Sequence, residues 1–465
     1  MTHRTESGAA VGGAHGRAGT GDNPRVVAHQ VLTAVTRDDA YANLVLPTLL
    51  ARHGLTGRDA AFATELSYGT LRRRGTLDRI IATAARRELT AIDQPVLETL
   101  RLGAYQLLCT RVAVHAAVDT TVSLARTVCG HKPAGFVNAV MRKISQRGPG
   151  EWLDSIATGD PVTDLGLEFS HPSWVVAAIA EALGVDVTVD GFDDTELAAA
   201  LGADNEAPEV GLCARPGRIT TEELARQCGG RPTEWSPYGV QLPGGDPGDV
   251  TAVTDRRAHV QDEGSQLVAL VAAGAAVTGS DTRWLDLCAG PGGKAALLGA
   301  LAAERGARLT AVEVSEHRAA LVSGATRGLP VEVVHADGRE FGGQAQYDRV
   351  LLDAPCSGLG ALRRRPEARW RKQPGDVVDL TVLQRQLLTA ALRLVRPGGV
   401  VCYVTCSPVL AETEQVVDTA VGVETIDVRP LLPPGMPGLG DGPSVQLWPH
   451  RHRTDAMFCA VLRRH

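Results

Sequence analysis

Residues 347–360 read Tyr-Asp-Arg-Val-Leu-Leu-Asp-Ala-Pro-Cys-Ser-Gly-Leu-Gly. The run at 349–352 predicts a buried strand that feeds directly into a loop carrying Asp353, Cys356 and Ser357. Open α/β sheets place their ligands beyond the carboxyl ends of their strands. An acid and a thiol delivered to that position are therefore candidates for chemistry. A second predicted strand, residues 400–404, ends the same way, in Thr405-Cys406-Ser407. Two cysteines brought by two strand ends to one rim need a common explanation.

Working outward, strand-like and helical runs alternate from about residue 255 onward. Strands are predicted at 283–287, 309–314, 331–335, 349–352, 400–404 and 457–462. Helices fall between them, at 294–304, 316–326 and 377–394. This alternation predicts an α/β fold, a doubly wound Rossmann-like sheet with a mostly parallel core. Upstream, residues 24–147 are helical in pattern. Val96, Leu100, Ala104, Leu107 and Leu108, for example, share one face at helical spacing. An all-α domain of six or seven helices is expected there. The segment 148–167, punctuated by Gly, Asp and Pro, reads as a linker. Residues 168–250 read as a small α+β module and 251–465 as the α/β domain. The Gly-, Ala- and Thr-rich stretch 1–23 reads as a disordered tail.

Composition narrows the function classes. A chain of 465 residues has room for several domains and a sizeable core. Its 44% hydrophobic and 22% charged content is that of a soluble globular protein. Aromatics make up only 4%, which argues against broad base-stacking platforms, and the net charge is −6. A nucleic-acid binder of this balance must use local basic patches. Arg72-Arg73-Arg74, Arg86-Arg87 and Arg142-Lys143 are such clusters, each readable as a solvated helix face or as an RNA-facing surface. Nine cysteines with no CxxC pair make neither a disulfide framework nor a zinc site, so no metal is expected. Residues 1–23 lack the apolar core of a signal peptide, and the apolar run near 267–277 is too short to span a bilayer. The expectation is a cytoplasmic monomer with no membrane partner.

The first strand of the α/β domain ends in Asp286-Leu287-Cys288-Ala289-Gly290-Pro291-Gly292-Gly293-Lys294. Glycines between a strand and a helix let backbone approach a ligand and aim helix N–H groups at an anion. A Walker A loop fails here, because Cys288 replaces its first glycine and Ala295 follows Lys294. A dinucleotide loop keeps Gly290 and Gly292 and has Ala295 in third place, which that motif permits, so this reading stays open. The third reading is S-adenosylmethionine, with the loop holding its methionine end. Acids at four successive strand ends, Asp286, Glu313, Asp337 and Asp353, favour that reading. Glu313 is placed for ribose hydroxyls and Asp337 for an adenine amino group. Any one of these acids could be a helix cap.

Cys402 and Cys459 alternate with buried strand positions and read as small core hydrophobes, as do Cys109, Cys129, Cys213 and Cys228. Cys356 and Cys406 differ, since both follow strands and precede serines. A thiol beside adenosylmethionine suits alkylation of a pyrimidine at C5. Thiolate addition to C6 makes C5 nucleophilic, and an acid near N3, for which Asp353 is placed, stabilises the adduct. The thiol needs nearby positive charge to ionise. Spacing alone leaves the order of the two cysteines open.

The motifs Asp353-Ala354-Pro355-Cys356-Ser357-Gly358 and Thr405-Cys406-Ser407 resemble those of the Sun/RsmB family of RNA 5-methylcytosine methyltransferases. So do the basic loop at 359–372, Gln261-Asp262-Glu263-Gly264-Ser265-Gln266, and Trp448-Pro449-His450 with Thr454-Asp455. The helical segment resembles a NusB-type RNA-binding domain through residues 28–35, 58–71 and 136–142. The resemblance implies Cys406 as nucleophile and Cys356 as the thiol that assists release. It implies S-adenosylmethionine held by Cys288, Ala289, Gly290, Pro291, Gly292, Gly293, Lys294, Glu313, Asp337 and Asp353. The implied partner is RNA, with small-subunit ribosomal RNA first and transfer RNA as the alternative. Ala295 and Ala456 depart from the family pattern. Arg363, Arg364, Arg365, Arg369, Arg371 and Lys372 read as a phosphate clamp beside the site, against a solvated loop. An RNA-binding factor without catalysis, or a nicotinamide oxidoreductase, would leave both cysteines unexplained.

Overall fold

The structure, a computed structural model, describes residues 23–188, 191 and 193–465. The tail expected at 1–23 lies outside the described residues except for Asn23. That residue caps the first helix, its side chain accepting from the Arg25 N–H at 2.9 Å. The chain forms two compact units. One joins the described residues up to 67 with 88–146, and the other joins 68–87 with 147–465.

The first unit is all helix. Pro24–Arg37 opens on its proline, whose missing N–H is not needed there. The stripe Val27, Val31 and Val35 faces inward. In Gln94–Cys109 the predicted stripe is buried at Val96, Leu100 and Ala104 and half-buried at Leu107 and Leu108. Helices Val114–Val128 and Ala134–Ile144 complete the core with Ala125, Val137 and Met141.

The second unit begins with a correction to the expected linker. Residues 148–167 hold two helices, Pro149–Ile156 and Pro161–Phe169. The glycine, prolines and aspartate that read as linker punctuation are helix starts. Pro149 and Pro161 occupy first-turn positions, the Gly148 N–H donates to Glu151, and Asp160 accepts from the Thr163 N–H. Residues 68–87 pack here as well, instead of closing the first unit. Thr76 donates its hydroxyl to the Leu167 carbonyl at 2.6 Å, and the Gly75 N–H donates to Ser170 at 2.8 Å.

A four-stranded antiparallel sheet follows, from β1 (Val210–Ala214), β2 (Arg231–Pro232), β3 (Gly239–Leu242) and β4 (Ala258–Val260), in the order β2-β3-β1-β4. The large sheet comprises β5 (Arg283–Asp286), β6 (Arg308–Glu313), β7 (Val331–His335), β8 (Tyr347–Asp353), β9 (Val395–Thr405), β10 (Val423–Ile426), β11 (Val445–Gln446) and β12 (Phe458–Arg464). Its order is β10-β12-β9-β8-β5-β6-β7, with β11 pairing β12. The stretch β9-β8-β5-β6-β7 is parallel, and β12 inserts antiparallel beside β9. Both faces are buried. Trp284 and Leu351 pack under the helices Glu263–Gly274 and Gly293–Glu304, while Leu285, Val350 and Leu352 pack under Pro374–Leu394. Two covered faces are what a parallel core of this kind requires. Pairing of Asp353 with Val404 makes β8 and β9 end together, so their loops leave the sheet side by side.

Candidate active site

That register brings the two predicted thiols into contact, with Cys356 Sγ and Cys406 Sγ 3.4 Å apart. Backbone geometry fixes the loops. Gly358 adopts φ +74°, a left-handed conformation that favours glycine. The Gly360 N–H donates to the Cys406 carbonyl at 2.9 Å, and the Ala456 N–H donates to the Gly360 carbonyl at 2.8 Å. A Cβ on Gly360 would collide with the Ala456 oxygen and with the carbonyl group of Cys406.

The contact shifts the two thiols in opposite directions. The hydrogen bond from Cys356 draws the Cys406 thiol below its ordinary range; burial and Asp353 oppose this, while Lys294 and Arg365 reinforce it. The same hydrogen bond pushes Cys356 well up, and burial, the charge on Cys406, Glu412 and Asp353 add to the push. Cys406 is thus the better thiolate and Cys356 its proton donor. The surrounding charges differ in part: Asp353 disfavours ionisation of both thiols, Lys294 and Arg365 favour it at Cys406, and Glu412 opposes it at Cys356.

Beneath the thiols lies a carboxylate that sequence reading missed. Glu412, fully buried, accepts from the Ser357 N–H (2.7 Å), the Ser357 hydroxyl (2.5 Å), the Ser407 hydroxyl (2.6 Å) and Gln384 Nε2 (3.1 Å). The available signal was the serine that follows each cysteine.

The predicted cofactor residues gather at the ends of β5, β6, β7 and β8. Lys294, in the first turn of Gly293–Glu304, donates to Asp353 at 2.8 Å. Burial works against its charge, but the attraction of Asp353 prevails and its pKa is raised. The loop from Cys288 to Gly293 makes close backbone contacts. A Cβ on Gly290 would strike Glu313 and Arg318, and Gly292, at φ +114°, lies against Ala325 and Val322. Glu313 braces this loop, accepting from the Gly290 N–H at 2.9 Å and the Ser315 N–H at 3.0 Å. Asp337 is held by Arg339, whose hydrogen bond lowers its pKa. The thiol of half-buried Cys288 is pushed up by desolvation and then by Asp286. Asp286, one of the four strand-end acids named from sequence, is buried with neither carboxylate oxygen hydrogen-bonded. Burial, and next the charge of Asp353, push its pKa up to about 7.

These features fit adenosylmethionine. A glycine cradle with no room for side chains lies at a helix start, and the unpartnered buried carboxylate of Asp286 suits a ligand that carries positive charge. Val314, a large apolar side chain 61% exposed beside Glu313, offers an apolar flank.

The basic run 363–372 needs correction. Arg363 and Arg369 are buried, and Arg369 donates to the carbonyls of Arg72, Ser170 and Asp204 and to Asn205. Arg363 and Arg364 pair with Asp262 and Asp455. Their charge is consumed within the fold, because the loop is pinned to β4's exit, the C-terminal segment and the 68–87 helices. Arg365 is exposed, while Arg371 and Lys372 are half-buried. Of the cysteines read as core, Cys402, Cys459 and Cys213 are buried, Cys129 and Cys228 are partly so, and Cys109 is exposed.

Residues 276–463 match the profile of the 16S rRNA methyltransferase RsmB/F family, and residues 22–146 that of the NusB family. Ribosomal RNA small subunit methyltransferase B of Erwinia tasmaniensis is 31% identical, over 95% of this chain and 98% of that one. The chain belongs to the RsmB/F family of 16S rRNA methyltransferases. The Mycobacterium tuberculosis chain named "Putative methyltransferase Rv1407" is 55% identical, over 95% of this chain and 97% of that one. The crystal structure of PH0851 shares the fold, with a TM-score of 0.77 at 21% identity, covering 95% of this chain and 99% of that one. As an RsmB/F member the chain is an S-adenosylmethionine-dependent RNA methyltransferase with a NusB-family helical domain. Among the described residues no helix is long and apolar enough to cross a membrane.

Proposed function

We propose that this protein methylates C5 of a cytosine in 16S ribosomal RNA through a transient bond between Cys406 and C6 of the base. The observation that carries the reading is the 3.4 Å thiol pair, with its proton biased toward Cys356 and its cations toward Cys406. Cys406 thiolate adds to C6, and the C5–C6 electron pair becomes available at C5. Asp353, at the end of β8, stabilises the adduct at N3. The loop 288–294 with Glu313, Asp337 and Asp353 would hold S-adenosylmethionine, which would supply the electrophilic methyl group, the electrons of the broken S–CH3 bond staying on its sulfur as a neutral thioether. Loss of the C5 proton then lets the S–C6 bond break, returning its electrons to Cys406. Cys356, protonated and in contact with that sulfur, assists the departure. The base must be extruded or lie in a loop, because C6 is out of reach within a stack. Arg365, exposed and acting on Cys406, is the best-placed cation of the basic run for a backbone phosphate.

The reading is tested with Cys356→Ala, incubated with 16S rRNA and adenosylmethionine. A protein–RNA species stable on denaturing gels should accumulate and map to Cys406. Cys406→Ala should form no such species and transfer no methyl group. Full turnover by Cys406→Ala would eliminate the nucleophile assignment, and adducts with transfer RNA alone would change the substrate.

A further inference from the structure

Glu412 belongs to no predicted site, yet it touches both cysteine loops. One carboxylate oxygen accepts from the Ser357 N–H and from Gln384, whose Nε2 also donates to the Pro355 carbonyl at 2.8 Å. The other accepts from both the Ser357 and Ser407 hydroxyls, which are themselves 3.1 Å apart. The backbone of Glu412 is tied down too, its carbonyl accepting from the Tyr403 hydroxyl at 2.8 Å on β9. Ser357 and Ser407 each follow a cysteine directly, so one buried carboxylate bonds the residue next to each thiol.

We propose that Glu412 is a positioning residue for the methyl transfer, holding the two cysteine loops at thiol–thiol contact. The inference rests on the reading of Cys406 as nucleophile and deepens it. Mechanical support comes from four hydrogen bonds on two oxygens, and charge-assisted bonds of this kind are the strong ones. Electrostatic support comes from the carboxylate's sign. Glu412 acts as an anion on Cys356, Asp353 acts as one on both thiols, and Lys294 and Arg365 act as cations on Cys406. Tyr403, whose hydroxyl is bonded to Glu412, has its pKa raised by burial and then by Cys356, so it adds no charge. Glu412 touches neither thiol by hydrogen bond, and its effect passes through the serines and through space.

The test needs neither RNA nor cofactor. Both thiols are partly exposed, so iodoacetamide alkylation of the full-length protein, read by peptide mass spectrometry across pH, reports each one separately. In the wild type Cys406 should react faster than Cys356 and with the lower pH midpoint. Glu412→Gln keeps the shape and removes the charge. It should raise the Cys356 rate on the order of tenfold and narrow the rate ratio. Glu412→Ala removes the tether as well and should also slow Cys406 and move its midpoint upward. If Glu412→Ala does not fold, Ser407→Ala, which removes one tether bond, should give the same direction of change at smaller size. An unchanged ratio and unchanged midpoints in Glu412→Gln and Ser407→Ala, with folding confirmed, would overturn the proposal. Full methyl transfer by Cys406→Ala would instead refute the nucleophile reading and leave the alkylation result standing.

Discussion

Asp286 gives the most quantitative prediction. It is 1% exposed, its oxygens have no hydrogen-bond partner, and its pKa is pushed from 3.8 up to about 7. A tenfold change in a protonation equilibrium is worth about 1.4 kcal/mol, so a rise of this size makes ionised Asp286 cost the folded chain about 4 kcal/mol. The sign follows from which state holds the proton. Below the unfolded pKa both states are protonated and nothing is lost. As pH rises from 3.8 to about 7 the unfolded chain ionises first and stability falls; above about 7 the full penalty is present. Asp286→Asn abolishes the penalty but buries an amide lacking partners, at about 1–2 kcal/mol. The variant should therefore be more stable than wild type by about 2 kcal/mol at a pH clearly above the Asp286 pKa, with no gain near the unfolded pKa. Thermal melts followed by tryptophan fluorescence at the two pH values measure the difference. The same variant should bind adenosylmethionine on the order of tenfold more weakly by calorimetry, since it loses the anion that a positively charged ligand would meet. Equal stabilisation at both pH values, or undiminished affinity, would refute the assignment of that carboxylate.

Three further outcomes follow from named contacts. Lys294→Met leaves Asp353 without its 2.8 Å partner; it should destabilise the protein by about 1–3 kcal/mol and raise the pH midpoint of Cys406 alkylation. Gly360→Ala drives a Cβ into the carbonyls of Ala456 and Cys406, and should cut methyl transfer far more than it lowers adenosylmethionine affinity, as separate assays would show. Arg369→Ala strands four acceptors in the interior; it should cost about 3–5 kcal/mol in melts, whereas an arginine used only for phosphate contacts would leave the melting temperature unchanged.

The α/β sheet was legible because its strands carry apolar runs on both faces and its helices start at glycines and caps. Asp353, Cys356 and Cys406 were legible because strand ends in such a sheet converge. Contacts set by long-range packing were not. The arginines at 363–369 look alike in sequence, but Arg365 is exposed while Arg369 is wholly enclosed. Pro149 and Pro161 read as breaks and act as helix starts. Glu412 carries no motif of its own; it becomes visible only when β8 and β9 bring Ser357 and Ser407 together. Charge order also came from the fold, which places Lys294 and Arg365 to act on one thiol and Glu412 on the other.

The central claim is methylation at C5 of a 16S cytosine through Cys406. Bisulfite sequencing of ribosomal and transfer RNA tests it, using cells that lack the gene and are complemented with the wild type or with Cys406→Ala. One 16S cytosine should be protected from conversion with the wild-type protein and converted without the gene or with Cys406→Ala. A 16S pattern identical in all three strains, or protection maintained by Cys406→Ala, would contradict the account.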